Sequence, residues 1–223
     1  MFVPPIYRAP DHTWMVELLQ NNPLALMTGN GPDGGVPYAT HLPVIVDPEM
    51  TGEWSADLSG GLLLGHMNRQ NPHWRSLRDG APVLLVFTGP NSYVSPTVYQ
   101  ISPAAPTWDF TTVHVRGTVR LLDSFEQTMD VVQATVRALE GVAGTEWDMA
   151  ESIGYFRQLA PEVGAFRVEV TGAEGMFKLS QEQPEDVRGR VQEAFACRHA
   201  GRTRETGEMI ERIAAASAVA GRP

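Results

Sequence analysis

The sequence predicts an α+β fold built on a β-barrel and decorated with helices, and three observations predict it. Two segments, 36–46 and 112–122, alternate apolar and polar residues as half-buried strands do. The early strand-like segments follow one another without helical crossovers, which argues against a doubly wound parallel sheet. Strand character then resumes at Phe166, Val168 and Val170 after a helical stretch, so helices interrupt the β structure instead of alternating with it.

Taken in order, residues 11–21 read as a helix, with Asp11 as N-cap and Trp14, Met15, Leu18 and Leu19 on one face. Leu24 to Thr28 is a short strand, and a turn rich in glycine follows it. Val36, Tyr38, Thr40, Leu42, Val44 and Val46 then share one face of an extended segment, with Ala39, His41, Pro43 and Ile45 on the other, which makes a β-hairpin. Residues 47–60 are a polar turn. The run Leu62-Leu63-Leu64 reads as a buried strand that breaks at Gly65 into Gly65-His66-Met67-Asn68-Arg69-Gln70-Asn71-Pro72-His73-Trp74, where Pro72 suits the first turn of a short helix through Leu77. Pro82 to Phe87 is a continuous apolar strand ended by Gly89-Pro90, and residues 91–107, with three prolines, form an irregular excursion. Residues 124–140 are the clearest helix, with Phe125, Met129, Val132, Val136 and Leu139 at steps of four and three. Further helices are expected over 148–159, 184–196 and 204–217, with a frayed tail from Ala218 to Pro223.

Composition narrows the function. The 223 residues suffice to bury a core, and 43% hydrophobic with 19% charged residues reads as soluble and globular. No apolar run reaches the roughly eighteen residues of a membrane-spanning helix. The start, Met1-Phe2-Val3-Pro4-Pro5, has no secretory n- or h-region, and one cysteine, Cys197, permits no internal disulfide, so a cytoplasmic location is the default. A net charge of −9 runs against nucleic-acid binding. Arg188, Arg190, Arg198, Arg202 and Arg204 do gather near the C-terminus, but Glu182, Glu185, Asp186, Glu193, Glu205, Glu208 and Glu211 interleave with them, which reads as a solvated helical face.

Among motifs, Gly29-Asn30-Gly31-Pro32-Asp33-Gly34 matches GxGxxG, with Asp47 near the distance of a ribose-binding acid. It leads into the extended Val36-Pro37-Tyr38, not a helix, so hairpin glycines explain it without a dinucleotide. His41, His66, His73 and His114 lack the spacing of a metal site, and no nucleophile elbow is present, so no catalytic or metal residue is assigned. The 65–74 stretch is different. A strand that empties through Gly, His, Asn and Arg into a helix start suggests an anion site in which free backbone N–H groups, the helix dipole and a guanidinium meet a phosphate.

Six blocks carry a resemblance. They are Met1-Phe2-Val3-Pro4, Pro37-Tyr38-Ala39-Thr40-His41-Leu42-Pro43, the 65–74 stretch, Gly89-Pro90-Asn91-Ser92-Tyr93-Val94-Ser95-Pro96, Pro106-Thr107-Trp108-Asp109-Phe110-Thr111-Thr112-Val113-His114-Val115, and Phe177-Lys178-Leu179-Ser180-Gln181. Together they resemble the PaiB-like family of FMN-binding proteins, known as negative transcriptional regulators. The resemblance implies an FMN-binding split β-barrel of the pyridoxamine-phosphate-oxidase class and a homodimer. It implies a barrel domain over 1–180 with a helical insertion near 124–160, then a helical extension over 181–223. The blocks place His66, Asn68, Arg69 and the N–H groups before Trp74 on the phosphate side, with Gly65, Met67, Asn71 and Pro72 in the same cofactor site. Thr28, Thr40, His41 and Leu42 are expected to line the ribityl chain and ring. Trp108, Thr111 and Val113 are expected to supply a wall or partner contact, and Lys178 and Ser180 to complete the site. Where relatives are expected to read Trp-Asn-Tyr, this chain has Trp108-Asp109-Phe110. The expected function is FMN binding with a regulatory role, DNA being a family partner that the charge disfavours. The alternative is an FMN-dependent oxidoreductase or flavin reductase.

Overall fold

A computed structural model describes residues 1–31, 35–145, 147–197 and 201–219. Pro32, Asp33 and Gly34 of the glycine turn, Arg198 of the basic cluster, and 220–223 of the tail lie outside the described residues.

The chain runs α1 (His12–Asn21), β1 (Leu24–Gly29), β2 (Tyr38–Val46), β3 (Leu62–Asn68), α2 (Pro72–Ser76), β4 (Pro82–Val94), α3 (Pro96–Tyr99), β5 (Thr107–Leu122), α4 (Phe125–Ala143), α5 (Ile153–Leu159), β6 (Val163–Lys178), α6 (Glu185–Ala196) and α7 (Arg202–Val219). The six strands are hydrogen-bonded in the order β1-β2-β3-β6-β5-β4 and close a barrel. The hairpin is antiparallel, with Leu24 opposite Pro43 and Gly29 opposite Tyr38. β3 pairs antiparallel with both β2 and β6, which sets Gly65 between Val44 and Phe166.

Three strand ends differ from the sequence reading. β3 does not break at Gly65 but runs on to Asn68. A Cβ at Gly65 would lie 2.6 Å from the Phe166 ring, so the glycine there makes room for an aromatic side chain and does not end the strand. β4 passes through Gly89-Pro90 to Val94, with the Pro90 carbonyl accepting the Thr111 hydroxyl at 3.2 Å. β5 begins at Thr107, which shortens the irregular stretch.

The described residues form two compact units, and three strands contribute to both. One unit comprises 16–87 and 114–173, the other 1–15, 88–113 and 174–223. In the first, α4 covers Ile45, Leu64 and Ala165 with Val131, which is why Ile45 is buried although Ala39 and His41 on its face of β2 are exposed. Ser124 opens α4 with a capping box, its hydroxyl accepting from Gln127 N while the Gln127 side chain accepts from Ser124 N. In the second unit, Val187, Val191 and Phe195 of α6 and Ile210 and Ile213 of α7 are buried, and the two helices pack on each other. Arg202 donates to the Gly89 carbonyl and Arg190 to the Tyr99 carbonyl, which ties both helices to that unit's strands and loops. Arg190 also pairs with Asp186, and Arg204 with Glu208, so these two members of the C-terminal basic cluster are neutralised locally. Among the described residues no helix is long and apolar enough to cross a membrane.

Candidate functional site

In the unit holding β1–β3, the hairpin, the end of β3 and α2 bring several of the expected residues together. Asn71 caps α2, its Oδ1 accepting from His73 N at 2.9 Å, and Pro72 occupies the first helical turn, where a missing N–H costs nothing. The cap fixes the Asn71 side chain so that its Nδ2 faces Thr40 Oγ1 at 3.4 Å, and Thr40 in turn meets His73 Nδ1 at 2.9 Å. His73 is buried and stacks on Tyr38, ring centroids 5.5 Å apart. Its Nε2 has no hydrogen-bond partner among the described residues and abuts Gly29, where a Cβ would lie 3.0 Å away.

Arg69 is held from two sides. Its Nε donates to the Val163 carbonyl at 2.9 Å, and its guanidinium lies 5.5 Å from the centre of the Trp74 ring. That ring presses on Gly164, where a Cβ would come within 2.3 Å of it, so the start of β6, Trp74 and Arg69 form one stack. The terminal amines of Arg69 take no hydrogen bond among the described residues, which leaves a fixed fork of donors.

The expected cradle of free backbone N–H groups is not there. Arg69 N donates to the Glu162 carbonyl, Gln70 N to Asn68 Oδ1, Asn71 N to the Asn68 carbonyl and His73 N to Asn71 Oδ1. The tight turn after β3 consumes these donors itself, so any anion here depends on the guanidinium.

Strand alternation sorts the remaining residues. On β2, Thr40 and Leu42 share a face while the exposed His41 points the opposite way. Leu42 packs near Gly65, and Met67 follows Gly65 on the same face of β3. His66 lies on the other face with Leu64; its Nδ1 is buried and has no partner among the described residues, and burial holds the ring below the usual histidine pKa. Burial acts on His73 in the same direction. Thr28 on β1 donates to the Leu84 carbonyl at 3.4 Å, and Asn68 is exposed.

The other unit places the later residues. Trp108 is 51% exposed, bonds Asn91 through Nε1 at 3.3 Å and tilts against Tyr93. Lys178 donates to the Thr107 hydroxyl. Thr111, Val113 and Ser180 are fully buried, and the hydroxyls of Thr111 and Ser180 are bonded internally. Asp109 accepts from Ser180 N and Oγ at 3.1 and 2.7 Å. Burial pushes its carboxyl up to about 6; the Ser180 hydroxyl opposes that shift and Glu182 adds to it.

Reading the sequence did not single out His73 as a site residue. Its burial and its open nitrogen come from the packing of α2 on the hairpin, and its position in a helix start gave no signal of either.

Residues 1–172 match the family model described as "Putative FMN-binding domain". The chain is 25% identical over 228 residues to "Uncharacterized protein AN0679" of Emericella nidulans, with 87% of this chain and 90% of that protein covered. It is 23% identical over 213 residues to "Protease synthase and sporulation protein PAI 2" of Bacillus subtilis, covering 95% of this chain and 97% of that one. Among solved structures, the FAD and heme binding protein from Mycobacterium smegmatis matches with a TM-score of 0.52 at 15% identity, over 82% of this chain and 78% of that one. At that identity the likeness is one of fold, the split barrel.

Proposed function

Since the chain belongs to the PaiB-like family of FMN-binding domains, matched over residues 1–172, we propose that Arg69 is the group that holds the phosphate of its FMN. One observation carries this reading: the guanidinium is pinned by Val163 and Trp74 with its terminal donors unspent among the described residues. A fork so fixed suits a phosphate, which accepts two parallel N–H bonds. The turn's own N–H groups are engaged, so the charge of Arg69 has no backbone substitute. To the uncharged part of the cofactor we assign Thr40, half-buried on β2, with Thr28 on the neighbouring β1; Leu42, Gly65 and Met67 are buried and back these strands. Bound FMN supplies reversible electron or hydride transfer, chemistry that no side chain here provides alone.

The test compares FMN with riboflavin, which lacks the phosphate. Arg69→Ala weakens FMN by about ten- to a hundredfold, the usual worth of a hydrogen bond to a charged group, and leaves riboflavin nearly unchanged. Equal losses for both flavins remove Arg69 from the phosphate.

At a finer level we infer a role in negative transcriptional regulation by a homodimer whose surface responds to flavin. Two things support it: the likeness to a relative named as a protease synthase and sporulation protein, and the absence of an assembled acid/base pair among the described site residues. The exposed Trp108 and Tyr93 are the surface we assign to the second copy. A gel shift with the protein's own upstream DNA at physiological salt tests the regulatory part. No specific shift with or without flavin counts against it, as the charge of −9 already does. The oxidoreductase reading rests on the flavin itself, whose ring brings redox chemistry without a side-chain acid or base. Rapid bleaching of bound flavin by NADH or NADPH under anaerobic conditions decides for it.

A further inference from the structure

We infer that His73 is a positioning residue that turns Thr40 into a hydrogen-bond donor for the uncharged part of the flavin, its ring carbonyls and ring nitrogens. The inference rests on the FMN reading above and adds a residue to it.

The argument follows the protons. Asn71 Oδ1 is taken by His73 N, so the end of Asn71 that faces Thr40 is its amide, which can only donate. Between Thr40 Oγ1 and His73 Nδ1, 2.9 Å apart, there is one proton, and it belongs to either partner. If the hydroxyl donates, Nδ1 is bare and the ring's single proton sits on Nε2. If the ring donates, Nε2 is bare and Thr40 accepts from both His73 and Asn71. Burial lowers the ring's pKa and so favours the neutral form, with a proton on one nitrogen only.

The other ring nitrogen decides between the two. His73 Nε2 is buried, without a partner among the described residues, and lies 3.0 Å from the Cβ position of Gly29. An N–H there would be a buried donor with its bond unmade, whereas a bare nitrogen leaves only a lone pair unpaired, the lesser cost. The ring therefore carries its proton on Nδ1 and gives it to Thr40. With both acceptor positions of the hydroxyl filled, its own proton is left over. Thr40 is half-buried on the face of β2 that carries Leu42, and a ligand acceptor there completes the chain Asn71 and His73 to Thr40 to ligand. The Tyr38 stack fixes the ring plane that sets this direction.

The first test needs no variant: nitrogen NMR of the imidazoles in the wild-type protein at pH 8. A neutral His73 protonated on Nδ1 is expected; protonation on Nε2 overturns the inference. The second test is flavin binding. His73→Phe keeps the ring and its stacking but removes Nδ1, and weakens FMN and riboflavin alike, about three- to tenfold, the range of one neutral hydrogen bond. Thr40→Val gives the same loss, and the double variant is no worse than Thr40→Val alone, because the two act as one unit. His73→Asn, whose amide nitrogen sits where Nδ1 was, restores binding to within about twofold of wild type. A wild type that binds no flavin refutes the cofactor reading itself. A wild type that binds, with His73→Phe binding equally well or losing FMN alone, refutes only the role given to His73.

Discussion

Each of the two units buries an aspartate, and the two are handled in opposite ways. Asp47, just beyond β2, is 1% exposed and meets a full positive charge, its Oδ2 lying 2.6 Å from Arg167 Nε while Oδ1 accepts from Glu49 N. Asp109, in β5 of the other unit, is completely buried and meets neutral donors from Ser180 alone among its hydrogen-bonding partners. A guanidinium returns most of what desolvation takes from a carboxylate; a hydroxyl and an amide return less. The carboxyl of Asp109 is accordingly pushed up to about 6, and Ser180, which supplies both donors, sits in the left-handed region at φ 61° to do so. Burial of a charge is thus compensated by an opposite charge in one unit and left partly uncompensated in the other.

Breaking the paired aspartate has the largest expected effect. Arg167→Met leaves Asp47 buried without its cation and costs about 3–5 kcal/mol in urea unfolding at pH 8. A loss of no more than about 1 kcal/mol would mean that packing rather than the charge pair is what Arg167 contributes.

The unpaired aspartate predicts the reverse. Because the folded state raises its pKa, the neutral form is favoured: its contribution is fully present below the unfolded pKa near 3.8 and is lost as pH rises through about 6. Asp109→Asn therefore stabilises the protein at pH 8, by up to about 3 kcal/mol, and the advantage disappears by pH 4. Thermal melts across that range check it; a variant less stable than wild type at pH 8 would show that the ionised carboxylate is needed to hold Ser180.

The smallest effect sharpens the same contrast. Tyr99 is buried beside this acidic cluster with a hydroxyl that has no partner among the described residues. Tyr99→Phe removes an unsatisfied polar atom and is expected to be neutral or stabilising by no more than about 1 kcal/mol. A clear destabilisation would reveal a hydrogen bond to water that offsets its burial.

Much of this was legible in the sequence, where local chemistry dominates. The alternation of Tyr38, Thr40, Leu42 and Val44 against Ala39 and His41 gave the hairpin and its buried face, and Asn71-Pro72 gave the start of α2. What misled were glycine and proline read locally. Gly65 appeared to end a strand because a missing side chain looks the same whether it frees the backbone or admits a neighbour's ring. The anion cradle failed for a similar reason: spacing places N–H groups near a turn, but cannot tell that the turn spends them on Asn68 and Glu162.

The sequence by itself determined the strand and helix types and the split-barrel family, because periodicity, capping and motif order are properties of neighbouring residues. Only the tertiary structure decided which buried groups find partners. Val163 against Arg69, Thr40 against His73, Arg167 against Asp47 and Ser180 against Asp109 join positions 94, 33, 120 and 71 residues apart. At such separations no local rule sets a distance, and a hydrogen bond exists or fails within a few tenths of an ångström.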